Sequence, residues 1–223
     1  MKDIPILYST EMVRALLDGR KTQTRRLNGL ENQNENPSMW KLAGDVYDPA
    51  WDEGDWKSCC DFQSLDTSIM SLAQCPYGQP GDILWVRESF FKSLNCGFVF
   101  KAGENKGVSY NEHFVKWKPN IHMPKTAARI FLQVKEIRVE RLQDISAHDA
   151  KSEGVKLQWE YVPGSFQDSN NEKRAEKFYS GMHHLTAFNQ LWESINGAES
   201  WNSNPWVWVI SFERIEKPKN WPI

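Results

Sequence analysis

The sequence predicts an α+β fold, in which a small, partly closed β-barrel carries short helices on its outside. Two observations carry this prediction. Most apolar stretches are short and rich in β-branched and aromatic residues, as strands are, and only a few segments show the three-and-four spacing of a helical face. The chain has 223 residues, of which 40% are hydrophobic, so it is long enough to bury a good core. We expect a single domain over residues 1–223.

The first elements are a short strand and a helix. Residues 4–7 form an apolar run, and Ser9 or Thr10 can cap a following helix by accepting a backbone N–H bond. Apolar residues within 12–17 then recur on one helical face. Gly19 stands where a left-handed residue usually ends a helix, because glycine adopts that conformation without steric penalty.

A charged run follows this helix, and residues 18–26 hold four cationic side chains and two threonines. If the chain is extended here, Lys21 and Arg25 alternate with Thr24 and Arg26 along the strand. Such a run is usually a solvated face that complements the helix dipole, and local sequence alone favours that interpretation. The alternative is that a lysine close to a threonine faces a pocket.

Further strands are predicted at residues 83–88, 98–100 and 206–213, and the last has the strongest strand pattern in the chain. The long apolar segment at residues 128–142 fits two strands or one bent strand. A helix is predicted at residues 183–195 by its apolar face.

Two polar stretches interrupt these elements, at about residues 28–77 and 156–182. Both are rich in turn-forming residues, so they predict irregular insertions, or lids with some local structure.

A short helix is also predicted around residue 150. Ser146 and Asp149 have the spacing of a capping box, and Gly154 ends the helix. Glu153 is then the last helical residue, where its carboxylate meets the negative end of the helix dipole. This position is locally unfavourable, so it predicts a cationic partner or a functional role for Glu153.

Charge and cysteine content limit the function classes. A net charge of −2 argues against a protein that coats nucleic acid, so any such contact must come from a local patch. No signal peptide or membrane-spanning run is evident, which predicts a cytoplasmic protein with reduced thiols and no membrane partner. The four cysteines show no C-x-x-C spacing, and we expect no metal or other cofactor. A zinc site built from Cys59, Cys60 and Cys75 stays an alternative.

Five features follow one another along the chain: Gly-Arg-Lys-Thr-Gln-Thr-Arg-Arg at 19–26, Pro-Gly-Asp at 80–82 before a strand, Arg-Leu-x-Asp-Ile at 141–145 after a long strand, Asp-Ala-x-x-Glu-Gly at 149–154, and a tryptophan-rich final strand. This set resembles the ASCH domain family, whose fold is like that of the RNA-binding PUA domain. Within the family, the chain is similar to the larger, phage- or prophage-associated members. The resemblance covers residues 4–26, 78–87, 128–155 and 183–215, and leaves out both insertions.

The resemblance implies an activity. Some small bacterial ASCH proteins are amidohydrolases that remove the acetyl group from N4-acetylcytidine. Their pattern has a lysine and a threonine three residues apart after a Gly-Arg pair, and a glutamate at the end of a later short helix. These positions correspond to Lys21, Thr24 and Glu153, which implies a base, a nucleophile and an acid/base partner, respectively.

The same resemblance implies substrate contacts from Arg20, Arg25, Arg26, Trp85 and Trp117. The arginines would supply positive charge that lowers the pKa of Lys21, and Arg26 or a backbone amide would stabilise an oxyanion. Trp85, Trp117, Trp206 and Trp208 are candidates for stacking on a pyrimidine, although each is more commonly a core residue.

Two other functions stay open. One is a non-catalytic module that binds RNA or a modified base through a basic strip of Arg20, Arg25, Arg26, Lys116, Lys118, His122, Lys125 and Arg129, with Trp117 among them. Ordinary surface charge competes with that interpretation. The other is a ribonuclease, which the sequence supports less, since it shows no dense set of metal-binding side chains. The oligomeric state is not predicted.

Overall fold

The architecture comes from a computed structural model, which describes residues 1–44, 59–93, 97–103, 115–156 and 172–222. The strands within these residues are β1 (Asp3–Leu7), β2 (Gln23–Arg26), β3 (Trp40–Leu42), β4 (Cys59–Ser64), β5 (Met70–Gln74), β6 (Ile83–Arg87), β7 (Phe90–Ser93), β8 (Gly97–Phe100), β9 (Phe131–Arg141) and β10 (Trp206–Ile215). The helices are α1 (Thr10–Leu17), α2 (Glu31–Glu35), α3 (Ala147–Ser152) and α4 (Glu172–Asn196). The protein is therefore of the predicted α+β class.

The main sheet has five strands in the order β1-β6-β9-β10-β2. β1 runs parallel to β6, and the other neighbours are antiparallel. The extended segment predicted at residues 128–142 is one strand, β9, whose pairing with β10 shifts register between Ser211 and Phe212. Such a shift bends the strand. The described strands form an open sheet with β1 and β2 at its edges, so strand pairing does not close the predicted barrel.

The two faces of this sheet are covered differently. Trp208 and Ile210 of β10 face one core, which also contains residues of α1. Val207 and Val209 face the opposite side, where they pack with residues of α3 and α4. β2 pairs with β10, so its residues divide between the same two faces. This division decides the surroundings of each charged residue in residues 21–26.

The predicted first insertion contains regular structure. β3, β4 and β5 form a second, antiparallel sheet, and Cys60 and Phe62 of β4 are buried against the first face of the main sheet. The expectation of an irregular segment was wrong for these strands. Their polar alternate residues hide the strand pattern, and tertiary packing overrides weak local propensity. Residues 45–58 lie outside the described residues.

The helix predicted at residues 183–195 is longer than expected, because α4 begins at Glu172. The end of the predicted second insertion is therefore helical. Phe188 and Trp192 are buried against α3 and the main sheet, as the apolar face predicted. Residues 157–171 lie outside the described residues.

Candidate active site around Lys21 and Glu153

Local signals place Lys21 just before β2. The side chain of Ser9 accepts a hydrogen bond from the Met12 N–H at 3.3 Å and begins α1, as predicted. Gly19 has a φ of +71° and reverses the chain after the helix. Lys21 then forms a single antiparallel bridge with Glu153, which lies 132 positions later in the sequence.

Glu153 is positioned by the end of α3. The Ser146 side chain caps this helix by accepting a bond from Asp149 N–H at 3.0 Å, and Glu153 is the C-cap residue. Gly154 follows with a φ of +80°, and a Cβ atom there would lie 2.8 Å from the Cβ atoms of both Ala15 and Lys21. Only glycine therefore lets the end of α3 approach Lys21 this closely.

Lys21 and Glu153 form a buried ion pair. Lys21 Nζ donates to Glu153 Oε2 at 2.8 Å and to the Glu153 carbonyl oxygen at 2.9 Å. The two residues are 4% and 3% exposed. Burial lowers the pKa of Lys21 from its usual value, the charges of Arg26 and Arg25 lower it further, and Glu153 opposes the shift. The predicted cationic partner of Glu153 is thus present.

Arg25 lies on the helix-covered face of β2, where its fully buried guanidinium contacts three carboxylates. Its Nη1 donates to Glu153 Oε1 at 3.0 Å, its Nε donates to Glu140 Oε1 at 3.1 Å, and its Nη2 reaches Asp149 Oδ2 at 3.3 Å. Arg138 also binds Glu140 and Asp149, so three cations, with Lys21, match three anions. Arg25 was predicted to contact substrate, but these carboxylates engage it fully, and its position favours a structural role.

Thr24 and Arg26 lie on the opposite face of β2, beside Tyr8. Thr24 is 3% exposed and Tyr8 is 3% exposed. The Arg26 guanidinium carbon lies 5.0 Å from the centre of the Tyr8 ring, and Lys21 Nζ lies 5.5 Å from the same centre. Tyr8 is therefore the common neighbour of the residues predicted as base, nucleophile and oxyanion partner. Sequence reasoning missed it, and its one signal was a polar aromatic residue directly after the first strand.

Arg20 lies at the rim of this site and is half-buried. Its guanidinium donates to Asp18 Oδ2 at 2.9 Å and to the Gly154 carbonyl oxygen at 2.5 Å. Arg20 thus ties the end of α1 to the end of α3. Its position is compatible with both the predicted substrate contact and a role in joining these two helix ends.

The predicted stacking tryptophans lie elsewhere. Trp85 is buried in a separate core cluster, with its ring 6.2 Å from that of Trp221, so the predicted substrate contact does not fit its position. Trp117 is half-buried with its ring 5.2 Å from that of Phe91. Trp206 and Trp208 are core residues. The alternation of residues along β6 and β10 could not distinguish a core tryptophan from one that stacks on a substrate, because a tryptophan is buried in either position.

The predicted basic strip is interrupted by ion pairs. Arg25 is buried among carboxylates, Arg129 binds Glu88, and Lys125 lies 3.1 Å from Asp3 Oδ2. Lys116, Lys118 and His122 are exposed.

Other features of the described residues lie away from Lys21. Cys60 and Cys75 are buried, and burial raises the pKa of each thiol to about 12. No group of three His, Cys, Asp or Glu side chains suited to a metal occurs in the part of the chain that the structure describes.

A surface cleft of about 330 Å³ is lined by Ile4, Cys75 and Asp82, among others, and by none of the candidate site residues. None of the described helices has the length and apolar character needed to cross a membrane.

Comparison with known proteins gives no relative for this chain, since no protein-family model, curated protein or solved structure matches it.

Proposed function

We propose that this protein is an amidohydrolase of the ASCH type, which removes the acyl group from N4-acetylcytidine or a related N4-acylated cytosine nucleoside. The observation that carries the proposal is the buried contact between Lys21 and Glu153, which lie far apart in sequence, with Thr24 and Lys21 both beside Tyr8. A side-chain hydrogen bond also links the two edges of the main sheet beside this site, since Arg26 Nη2 on β2 donates to the Leu7 carbonyl oxygen on β1 at 2.9 Å.

The hydrogen bonds of Lys21 suit a base. A neutral lysine amine has two N–H bonds and one lone pair. Both N–H bonds find acceptors in Glu153, so the lone pair of the neutral form is left for a proton from another group. The lowered pKa of Lys21 makes this neutral form more accessible than in water.

The proposed reaction has two stages. Lys21 Nζ accepts the Thr24 hydroxyl proton, Thr24 Oγ1 bonds to the acyl carbon, and the carbonyl electron pair moves onto its oxygen. This intermediate collapses as the bond from carbon to N4 breaks, and the departing amine takes the proton from Lys21. Water then attacks the acyl carbon of the threonine ester and gives one proton to Lys21, the bond from the acyl carbon to Thr24 Oγ1 breaks, and the acetic acid formed loses its proton to solvent as acetate. Thr24 recovers its proton from Lys21 in the same step.

Glu153 orients Lys21 in this scheme rather than reacting itself. One carboxylate oxygen accepts from Lys21 Nζ, while the other is held by Arg25 Nη1. Arg25 thereby holds the Glu153 carboxylate in place, and this carboxylate in turn holds Lys21, the proposed base. Its positive charge also contributes to the lowered pKa of Lys21, so it acts through two other residues.

A substrate needs a path to these groups, because Lys21, Thr24 and Glu153 are each at most 4% exposed. Two half-buried residues border them, Arg20 at the rim and Arg26 beside Tyr8 and Thr24. We propose that binding displaces Arg26 from the Tyr8 ring, which opens the space next to Thr24.

The first experiment incubates the protein with N4-acetylcytidine and follows cytidine by chromatography. The wild type should release cytidine, and Thr24→Val should lose at least about 1,000-fold in kcat, since the nucleophile is removed while side-chain volume is kept. Thr24→Ser keeps a hydroxyl and should retain measurable turnover. Equal rates for wild type and Thr24→Val would contradict the assignment.

Lys21 is tested with its partner, so that no buried charge is left alone. The double variant Lys21→Met with Glu153→Gln removes both charges, and Lys21→Met alone removes the base. Both should lack turnover while circular dichroism shows a folded protein. Turnover by either variant at the wild-type rate would refute a role for Lys21 as base.

A second candidate is binding of RNA without catalysis. The observation in its favour is that Lys116 and Lys118 are exposed on either side of the half-buried Trp117. RNA affinity should then fall steeply with salt and should fall when both lysines are changed to glutamine. An affinity that does not respond to salt would exclude it.

A further inference from the structure

The hydroxyl of Tyr8 is a buried polar group without a hydrogen-bond partner. The residue is 3% exposed, and its ring packs in the main core with residues of α1 and β6. The side chains of Thr24 and Arg26 lie near Tyr8 Oη and act to lower the pKa of the phenol. Neither side chain forms a hydrogen bond of normal geometry with that oxygen. Buried tyrosine hydroxyls normally find a partner, and an unpaired one destabilises the folded protein. Phenylalanine would fill the same space without that cost.

The surroundings of this hydroxyl are positively charged. Lys21 Nζ and the Arg26 guanidinium lie 5.5 and 5.0 Å from the centre of the Tyr8 ring. The Nε of Arg26 is also buried without a partner. Two unused donors, Tyr8 Oη and Arg26 Nε, therefore lie on the Thr24 side of β2.

We propose that Tyr8 is a further catalytic residue, whose hydroxyl donates a hydrogen bond to the acyl oxygen of the substrate as that oxygen gains negative charge. This inference rests on the proposed function. When Thr24 Oγ1 bonds to the acyl carbon, the carbonyl electron pair moves to the oxygen, and Tyr8 stabilises this oxyanion while keeping its own proton. The acyl oxygen thus becomes the partner that the hydroxyl lacks in the free protein.

The protonation state of Tyr8 agrees with a donor. Burial raises its pKa to about 12, against the opposing effects of Arg26 and Thr24, while the charge of Glu153 adds to the rise. The phenol is therefore neutral at the pH where a lowered lysine pKa supplies the base. Preorganised donors of this kind act most strongly in a dry site, because they need no reorganisation as the charge develops.

The test is Tyr8→Phe, with Tyr77→Phe as the matched control. Tyr77 is also a partly buried tyrosine that feels the charge of Arg26, and it has no role in the proposed reaction. Tyr8→Phe should lower kcat for N4-acetylcytidine by about 100-fold and leave KM nearly unchanged, because the bond forms only in the transition state. Tyr77→Phe should retain the wild-type kcat.

Stability measurements separate this role from a structural one. Tyr8→Phe should melt at the wild-type temperature or above it, because it removes an unpaired hydroxyl. A lower melting temperature would overturn the proposal, since it would reveal a partner within the protein. An unchanged kcat in an active protein would overturn the role of Tyr8 alone. A wild type that does not hydrolyse N4-acetylcytidine would overturn the proposed function, and the role of Tyr8 with it.

Discussion

Two buried carboxylates of this protein are each held by an arginine, and their surroundings differ. Glu88 is 1% exposed and binds Arg129 in a two-pronged pair, with Nε to Oε1 at 2.8 Å and Nη2 to Oε2 at 2.9 Å. Glu153 is 3% exposed and divides its oxygens, so that Arg25 takes one at 3.0 Å and Lys21 takes the other at 2.8 Å.

The comparison shows which features separate a structural ion pair from a candidate active site. In the Glu88 pair each carboxylate oxygen meets one guanidinium nitrogen, and the Arg129 guanidinium packs 4.3 Å from the Phe100 ring centre. The Glu153 centre adds Lys21, whose pKa burial lowers, and it lies beside the unpaired Tyr8 hydroxyl. Burial and ion pairing are thus common to both sites. Only the Glu153 centre also contains a side chain, Lys21, whose lowered pKa suits it to accept a proton.

The largest expected effect on stability separates the two carboxylates. Arg129→Met strands Glu88 without a cation and should lower the free energy of unfolding by about 3–5 kcal/mol. Lys21→Met should cost only about 1 kcal/mol, because Glu153 keeps Arg25 and a buried ammonium no longer has to be desolvated. Urea unfolding at pH 7 measures both values.

A double variant checks that charge causes the first effect. Adding Glu88→Gln to Arg129→Met should recover most of the lost stability, since no buried charge is left unpaired. If Lys21→Met proved as destabilising as Arg129→Met, the Glu153 centre would be a second structural pair, and the comparison would fail.

A smaller effect is expected from the glycine that lets the two halves of the Glu153 centre meet. Gly154→Ala would place a Cβ 2.8 Å from Ala15 and Lys21, in addition to the strain of a positive φ. We expect a loss of about 2–4 kcal/mol, with about 1 kcal/mol from the backbone and the rest from overpacking.

Gly81→Ala is the matched control, because Gly81 has a φ of +93° with open space around it. It should show the backbone cost alone, and thermal unfolding compares the two variants. Equal losses would mean that the contact between α3 and Lys21 tolerates extra volume. The Glu153 centre would then be looser than the structure shows.

Much of this centre was predictable because its frame is local. The caps and turn residues of this frame shape the backbone only a few positions away in sequence. Each has the predicted role, as a helix cap or as a glycine that ends a helix: Ser9, Gly19, Ser146 and Gly154. The position of Glu153 at an unfavourable helix end predicted a cation, and the structure supplies two. The α+β class followed equally from short apolar runs.

The remainder depends on contacts between distant segments. Tyr8 meets Lys21 and Arg26 only because β1 and β2 lie at the two edges of a bent sheet, which no local pattern encodes. Arg25 and Arg26 look alike in sequence, yet the register of β2 on β10 places them on opposite faces. The catalytic roles of Lys21, Thr24 and Glu153 stay predictions, as does membership of the ASCH family.

The smallest and most diagnostic effect is on the pH dependence of stability. The pKa of Lys21 is lowered in the folded protein, so between that value and the usual 10.5 the unfolded chain binds more protons than the folded one. Stability should therefore rise with pH in this window and be lost as pH falls, by no more than about 1.4 kcal/mol per pH unit for one proton. The raised pKa values of Tyr8, Cys60 and Cys75 act in the opposite direction, but they are shared by wild type and Lys21→Met and cancel in the difference.

Urea unfolding of wild type and Lys21→Met at a series of pH values from 7 to 10.5 gives the difference between their free energies of unfolding at each pH. It should increase in favour of the wild type as pH rises. The corresponding difference between wild type and the double variant Arg129→Met with Glu88→Gln should stay flat, because this variant removes a buried ion pair without leaving a carboxylate unpaired. A difference for Lys21 that falls with pH would mean that Glu153 outweighs burial and holds Lys21 charged. The centre would then resemble the Glu88 pair, and the neutral base on which the proposed hydrolysis depends would be lost.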